Sequence, residues 1–144
     1  MREILFRAKR TDNGKWVYGS LLIQTGERIN KDELTPDEYR ILGCRGENYL
    51  VNPKTVGQYT GLRDKNGTRI FEGDVIRIEF QQDFYVGKIY WADDFLGWVV
   101  KFLDGTTPET MELINFYNTK YVEVIGNIHD NPEMIERGAE NEDQ

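Results

Sequence analysis

Between Val56 and Ile78 the chain reads VGQYTGLRDKNGTRIFEGDVIRI, and most of the expected architecture follows from it. Asp64-Lys65-Asn66-Gly67 separates two runs of β-forming residues, Val56 to Leu62 and Thr68 to Phe71. Asn66-Gly67 is a strong hairpin signal because both residues tolerate positive φ. Gly73-Asp74 then bends the chain into Val75 to Phe80, where Ile76, Ile78 and Phe80 share one face and Arg77 and Glu79 take the other. That alternation predicts a sheet with one wet side.

Working outward, the same punctuation recurs. Asn13-Gly14 predicts a first hairpin leading into Trp16 to Ile23. Thr35, Pro36 and Glu38 have the spacing of a helix start, so one or two helical turns are expected between Lys31 and Arg40. Tyr49 to Val51 reads as a short strand, and Asn52-Pro53 as a soft boundary. Phe84 to Trp91 and Phe95 to Leu103 extend Val75 to Phe80 into a meander, which suits a small barrel or sandwich better than any alternation with helices. Met111 to Tyr117 fits a strand or a helical turn. Tyr121 to Ile128 reads as a strand with Val122, Val124 and Gly126 on one face, followed by a short helix capped by Asn131 with Pro132 in its first position. Beyond Gly138 the acidic end has the composition of a disordered tail.

Several of these segments together resemble the YopX family of phage and prophage proteins from Gram-positive bacteria. The resemblance rests on Val56 to Leu62, Asp64 to Gly67, Ile70 to Val75, Val122 to Ile128 with Asn131-Pro132-Glu133, and on Phe6-Arg7-Ala8 with Trp16 to Gly19. It implies an SH3-like barrel core and a phage origin, and it brings no established activity, cofactor or catalytic residue. The expected fold is therefore mainly β: a small SH3-like barrel over residues 53–132, an N-terminal β-hairpin extension over 1–52, short helical turns, and an acidic tail over 133–144.

With 144 residues the chain can bury one core without staples. No run approaches the ~18 apolar residues of a membrane span, and the charged start at Arg2, Glu3 and Arg7 is unlike a signal peptide. A cytoplasmic protein, in a bacterial host, is expected. Cys44 is alone, which removes an internal disulfide or Cys-x-x-Cys chemistry. The net charge is −7, and five acids against Arg137 in residues 133–144 account for much of it. Such a body has no global field to attract a phosphate backbone.

Candidate sites are weak and each has a plainer reading. Arg63, Lys65 and Arg69 gather around the hairpin tip with Tyr59 on the incoming strand, which is how small barrels hold single-stranded nucleic acid; a solvated turn neutralised by Asp64 and Glu72 explains the same residues. Asn13, Gly14, Asn66, Gly67, Gly73 and Asp74 are structural turn residues. Asp83, Asp93, Asp94 and Asp104 lack the spacing of a calcium loop, and Asp in turns needs no metal. Glu72, Asp74 and Glu123 can serve as acid and base only if the fold brings them together. No catalytic residue, metal or cofactor is assigned. Trp16, Trp91, Trp98, Phe84, Phe95, Phe102, Phe116 and Tyr117 are expected mostly in the core. Apolar strand edges at Leu21-Leu22-Ile23 and Trp98-Val99-Val100 point to self-association. The expected function is a non-enzymatic interaction or assembly module whose partner is itself, as a homo-oligomer, or a phage or host protein. The alternative is a nucleic-acid-binding accessory protein.

Overall fold

The computed structural model describes residues 2–103, 110–112 and 119–135. Eleven strands account for nearly all its regular structure: β1 (Phe6–Lys9), β2 (Trp16–Gln24), β3 (Glu38–Leu42), β4 (Asn48–Leu50), β5 (Gly57–Arg63), β6 (Arg69–Phe71), β7 (Asp74–Phe80), β8 (Asp83–Ala92), β9 (Gly97–Phe102), β10 (Thr110–Glu112) and β11 (Val122–Asn127). They form two antiparallel sheets, ordered β4-β3-β2-β1-β5-β6 and β10-β9-β8-β7-β11. Neither sheet closes on itself, so the expected SH3-like barrel is corrected to two open sheets. Closure needs the last strand of a meander to return to the first; here β7 takes β11 on its free side, and β10 continues the sheet beyond β9.

The chain divides into two compact units, Met1–Tyr59 and Thr60–Gln144, the division falling inside β5. In the first unit Ala8, Ile41 and Val51 are buried, with Phe6, Val17, Leu21, Tyr39, Tyr49 and Val56 packed against them. The β1–β2 turn places Gly14 at φ +69, and Asn13 Oδ1 accepts a hydrogen bond from Lys15 N at 2.9 Å. In the same turn Arg10 hydrogen-bonds Asp12 and holds its carboxyl below the ordinary value. That contribution is present above the ordinary carboxylate pKa and lost as pH falls through the lowered one.

The helical turns expected near Lys31 to Arg40 do not form. Glu38 to Leu42 pairs with β2 instead, and Thr35 Oγ1 bonds Glu27, accepting from its N and donating to its carbonyl. Cross-strand pairing overrides a local capping pattern of marginal strength. Asn52 caps a 3-10 turn at Pro53–Thr55, its Oδ1 accepting from Lys54 N.

In the second unit Ile70, Ile76, Ile78, Ile89, Val100, Phe102 and Val122 form the buried cluster. The interior is thus mostly aliphatic, a correction to the expected aromatic filling. Of the six named rings among the described residues Phe102 alone is buried; Trp16 and Trp98 are half-buried, Phe84, Trp91 and Phe95 are exposed, and Phe116 and Tyr117 lie outside the described residues. Along β7 Ile76 and Ile78 are inside and Arg77 and Glu79 outside, as read, while the side chain of Phe80 lies outside what is described. The face assigned to β11 holds for Val122 and Val124, but a bulge between Val124 and Gly126 shifts the register before Gly126 is reached. Residues 132–135 are helical. Asn131 does not cap them through its side chain, because its Oδ1 accepts from Asn127 N, back on β11. The tail beyond Ile135 and most of Met111 to Tyr117 lie outside the described residues.

β7 and β8 turn at Gln81-Gln82, with φ +52 and +70, on the closing pair Phe80↔Asp83. Two consecutive positive φ values are the signature of the tight hairpin turn that favours Asn-Gly. Replacing Gln81-Gln82 by Asn-Gly should therefore raise stability by up to about 1 kcal/mol, measured as a higher urea midpoint at an unchanged slope.

Candidate functional site

The residues proposed for a nucleic-acid contact are not presented together as a platform. Tyr59 is only 7 % exposed, so its ring offers no open face for stacking. Arg63 donates from Nη1 to Gly67 O at 2.8 Å and braces its own turn. Lys65 Nζ lies 3.4 Å from Glu123 Oε2, and Arg77 Nη2 reaches the same oxygen at 3.0 Å. Glu123 thereby neutralises the one lysine of the tip.

The turn itself is organised by Asp64, which is 6 % exposed. Its Oδ1 accepts from Asn66 N and Thr68 N, and its Oδ2 accepts from Val124 N, each at 2.9 Å. Lys65 N also donates to Val122 O. The β5–β6 turn therefore satisfies two backbone groups of β11, the Val124 N–H and the Val122 carbonyl, on an edge strand that would otherwise offer them to another chain. Only Gly67, at φ +81, adopts the left-handed conformation there.

Asp74 is buried and its Oδ2 accepts from Phe71 N at 2.7 Å. This contact fixes the bend at Gly73, whose φ is +89. Asp93 Oδ1 accepts from the Trp91 indole N–H at 3.0 Å. Asp83 and Asp94 are exposed, and Asp104 lies outside the described residues. Among the described residues no group of three or more His, Cys, Asp or Glu comes together as metal ligands. Asp64, Asp74, Asp93 and Glu123 are thus engaged in holding turns, an indole N–H or cations. Cys44 is exposed.

Three exposed apolar side chains meet at the β8–β9 hairpin. Trp91 pairs with Trp98 across it, the rings meeting edge to face with centroids 5.1 Å apart. Trp91 is 43 %, Phe95 54 % and Leu96 80 % exposed. Leu96 has φ +50, a left-handed conformation that costs a branched side chain roughly 1 kcal/mol or more. The two strands expected to offer apolar edges are interior: β2 lies between β1 and β3, and β9 between β8 and β10. Sequence cannot say which neighbours a strand will have, so neither stretch belongs to an edge strand of its sheet.

The family profile described as YopX protein matches residues 5–136. The chain belongs to the YopX family. No curated protein matches it. Among solved structures, protein EF1440 from Enterococcus faecalis is similar, with 23 % sequence identity, a TM-score of 0.51, and coverage of 94 % of this chain and 99 % of that one. That likeness concerns the fold alone.

In this YopX chain the first unit carries a second group that the sequence reading passed over. Trp16 and Tyr18 follow each other on one side of β2, opposite Lys9 and Arg7 of β1. Arg7 lies 4.6 Å and Lys9 5.4 Å from the Trp16 ring centroid, within range of a cation–π attraction. The signal was available, because the Asn13-Gly14 corner sets β1 against β2 and the period of two puts these four side chains on one face. Among the described residues no helix is long and apolar enough to cross a membrane.

Proposed function

We propose that this chain is a non-enzymatic protein-interaction module of phage or prophage origin, working in the bacterial cytoplasm through the β8–β9 tip. The observation that carries the reading is Leu96, held 80 % exposed in a left-handed backbone next to Phe95 and the Trp91–Trp98 pair. Folding alone gains nothing from an exposed, strained leucine, and such strain concentrates where a surface is used. Exposed aromatic and aliphatic side chains clustered on a rigid hairpin are the usual anchors of a protein interface. Residues 60–144 hold seventeen acidic against eight basic residues, which disfavours nucleic acid at this tip. The partner is another protein chain, a second copy of this one included.

The test separates binding from folding. Leu96→Gly relieves the backbone strain, so stability should be unchanged or raised by up to about 1 kcal/mol. The Leu96→Gly, Phe95→Ser double variant should nevertheless lose self-association by light scattering, or lose the partner that the native chain retains from host lysate. A native chain that is strictly monomeric and retains nothing, or a double variant that behaves like the native chain, overturns the reading.

A further inference from the structure

We propose that residues 20–24 of β2 carry an open backbone edge that pairs antiparallel with the same segment of a second copy of this chain. The surface is separate from the β8–β9 tip and independent of its role. In the strand order β2 lies between β1 and β3, but its two neighbours hold different halves of it. β1 pairs with residues 16–19 and β3 with residues 20–24. Whether the second half has a free side depends on where each backbone group points.

In an antiparallel ladder the N–H and C=O of one residue point to the same side, and those of the next residue point to the other. Arg10 N donates to Lys15 O, so in the same register Ala8 bonds Val17 and Phe6 bonds Gly19. Odd-numbered residues of β2 therefore face β1. On β3, Tyr39 O accepts from Val51 N and Gly43 N donates to Glu47 O, so Tyr39 and Ile41 face β4. That leaves Glu38, Arg40 and Leu42 to bond Gln24, Leu22 and Ser20. The N–H and C=O of Leu21 and Ile23 consequently face the lane of β1, whose ladder ends at Phe6↔Gly19. Ile4, the residue that this register would set opposite Leu21, is 62 % exposed. Among the described residues no hydrogen bond reaches the backbone of Leu21 or Ile23 from that side.

Open strand edges are normally guarded by a charge, a proline or a bulge. Here residues 18–26 contain no Asp, Glu, Lys, Arg or Pro. A second copy is the fitting partner because the segment is its own complement. Antiparallel pairing about Leu22 sets Leu21 opposite Ile23 on either side of the centre, joined by about four backbone hydrogen bonds. It also sets Leu22 opposite Leu22 and Ser20 opposite Gln24, an isologous contact that closes as a dimer. Leu21 lies on the core face of the first unit, so Ile23 of the second copy, 49 % exposed in the single chain, is laid beside that core. Leu22, 43 % exposed, meets its equivalent on the other face. Charge permits the approach. Residues 1–59 hold ten basic and eight acidic residues, a net of +2, whereas residues 60–144 hold eight and seventeen, a net of −9. Two copies therefore repel each other least through their first units.

Sedimentation equilibrium and site-resolved amide exchange on the full chain, from about 5 μM to about 1 mM, give the test. The mass should rise from one chain toward two. Over the same range exchange at Leu21 and Ile23 should slow, while Leu22, paired with Arg40 of β3 in either state, stays as it was. Leu22→Lys and Leu22→Glu should each weaken the dimer at least about five-fold, because like charges then oppose each other at the two-fold axis. An equimolar mixture of the two variants should recover it as a mixed dimer, since the facing charges are then of opposite sign. Leu22 is exposed in the single chain, so circular dichroism should show both variants folded. The Leu96→Gly, Phe95→Ser variant should keep the concentration-dependent exchange at Leu21 and Ile23, whatever it loses at the tip. A chain that remains a monomer with both amides exchanging freely leaves this edge to a foreign strand and overturns the proposal. Slow exchange at every concentration would overturn it by filling the lane from within the chain. So would a dimer that Leu22→Lys leaves intact, or single variants whose mixture stays monomeric.

Discussion

Asp64→Ala should destabilise the protein by about 3–4 kcal/mol, a large share of what a domain of this size has in hand. The buried carboxylate accepts three backbone N–H groups, from Asn66, Thr68 and Val124. Alanine leaves all three donors without the acceptor that faces them, and hydrogen bonds to a charged group are the stronger kind. Asp64→Asn is the informative companion. Its amide oxygen can replace Oδ1 at the turn, but its NH2 then points at the Val124 N–H, donor against donor. A loss of about 2 kcal/mol is expected from that single mismatch. Urea unfolding of the two variants gives the difference, and amide exchange at Val124 should speed up in both. Equal stability of Asp64→Ala and the native protein would mean that the turn is not what holds the outer side of β11.

Gly19→Ala should cost about 3 kcal/mol, opposite in sign to the usual effect of replacing glycine in a strand. Alanine ordinarily gains because it restricts the unfolded chain. At Gly19, however, a Cβ would collide with the Leu42 carbonyl oxygen and its carbon, and would press on Ile41 Cγ2 at 3.2 Å. The first two are backbone atoms of β3, paired with β2 at Ser20↔Leu42, so no side-chain rotation can relieve the overlap. β3 must shift away from β2, and Ile41, fully buried in the first unit's core, must shift with it. A lowered urea midpoint with faster exchange at Ser20 and Leu42 is the expected result. A variant as stable as the native protein would show that β2 and β3 are further apart at this point.

The contrast between these two residues shows what the sequence makes legible. Gly73 and Asp74 could be read as a bend because the physics is local: a glycine at positive φ and a carboxylate that bonds an amide three residues away. The strands from Val75 to Phe102 were legible for the same reason, since a period of two and short polar breaks are written in consecutive residues. Gly19 carries no such mark. Its requirement comes from Leu42, a contact set by how β3 lies on β2, and the same is true of Asp64, whose third partner is 60 residues away. Thr35, Pro36 and Glu38 show the converse, a local helix signal overruled by a distant strand.

The candidate sites divide along the same line. Arg63, Lys65 and Arg69 drew attention because they are close in sequence, yet Arg63 and Lys65 brace the turn or pair with Glu123. Leu96 was hidden because an exposed leucine and a buried one look alike in a list of apolar residues. Only the backbone conformation and the position at the tip separate them.

The three indoles divide between the units, Trp16 in the first and Trp91 with Trp98 in the second. The contact at 5.1 Å between the latter two is close enough for their excited states to mix, so the second unit should give a near-ultraviolet signal that an isolated chromophore lacks. Emission from Trp16, with two cations near its ring, then reports the first unit on its own. The molecule thus carries a label-free optical reporter in each half, and melting or ligand capture in one can be followed without disturbing the other.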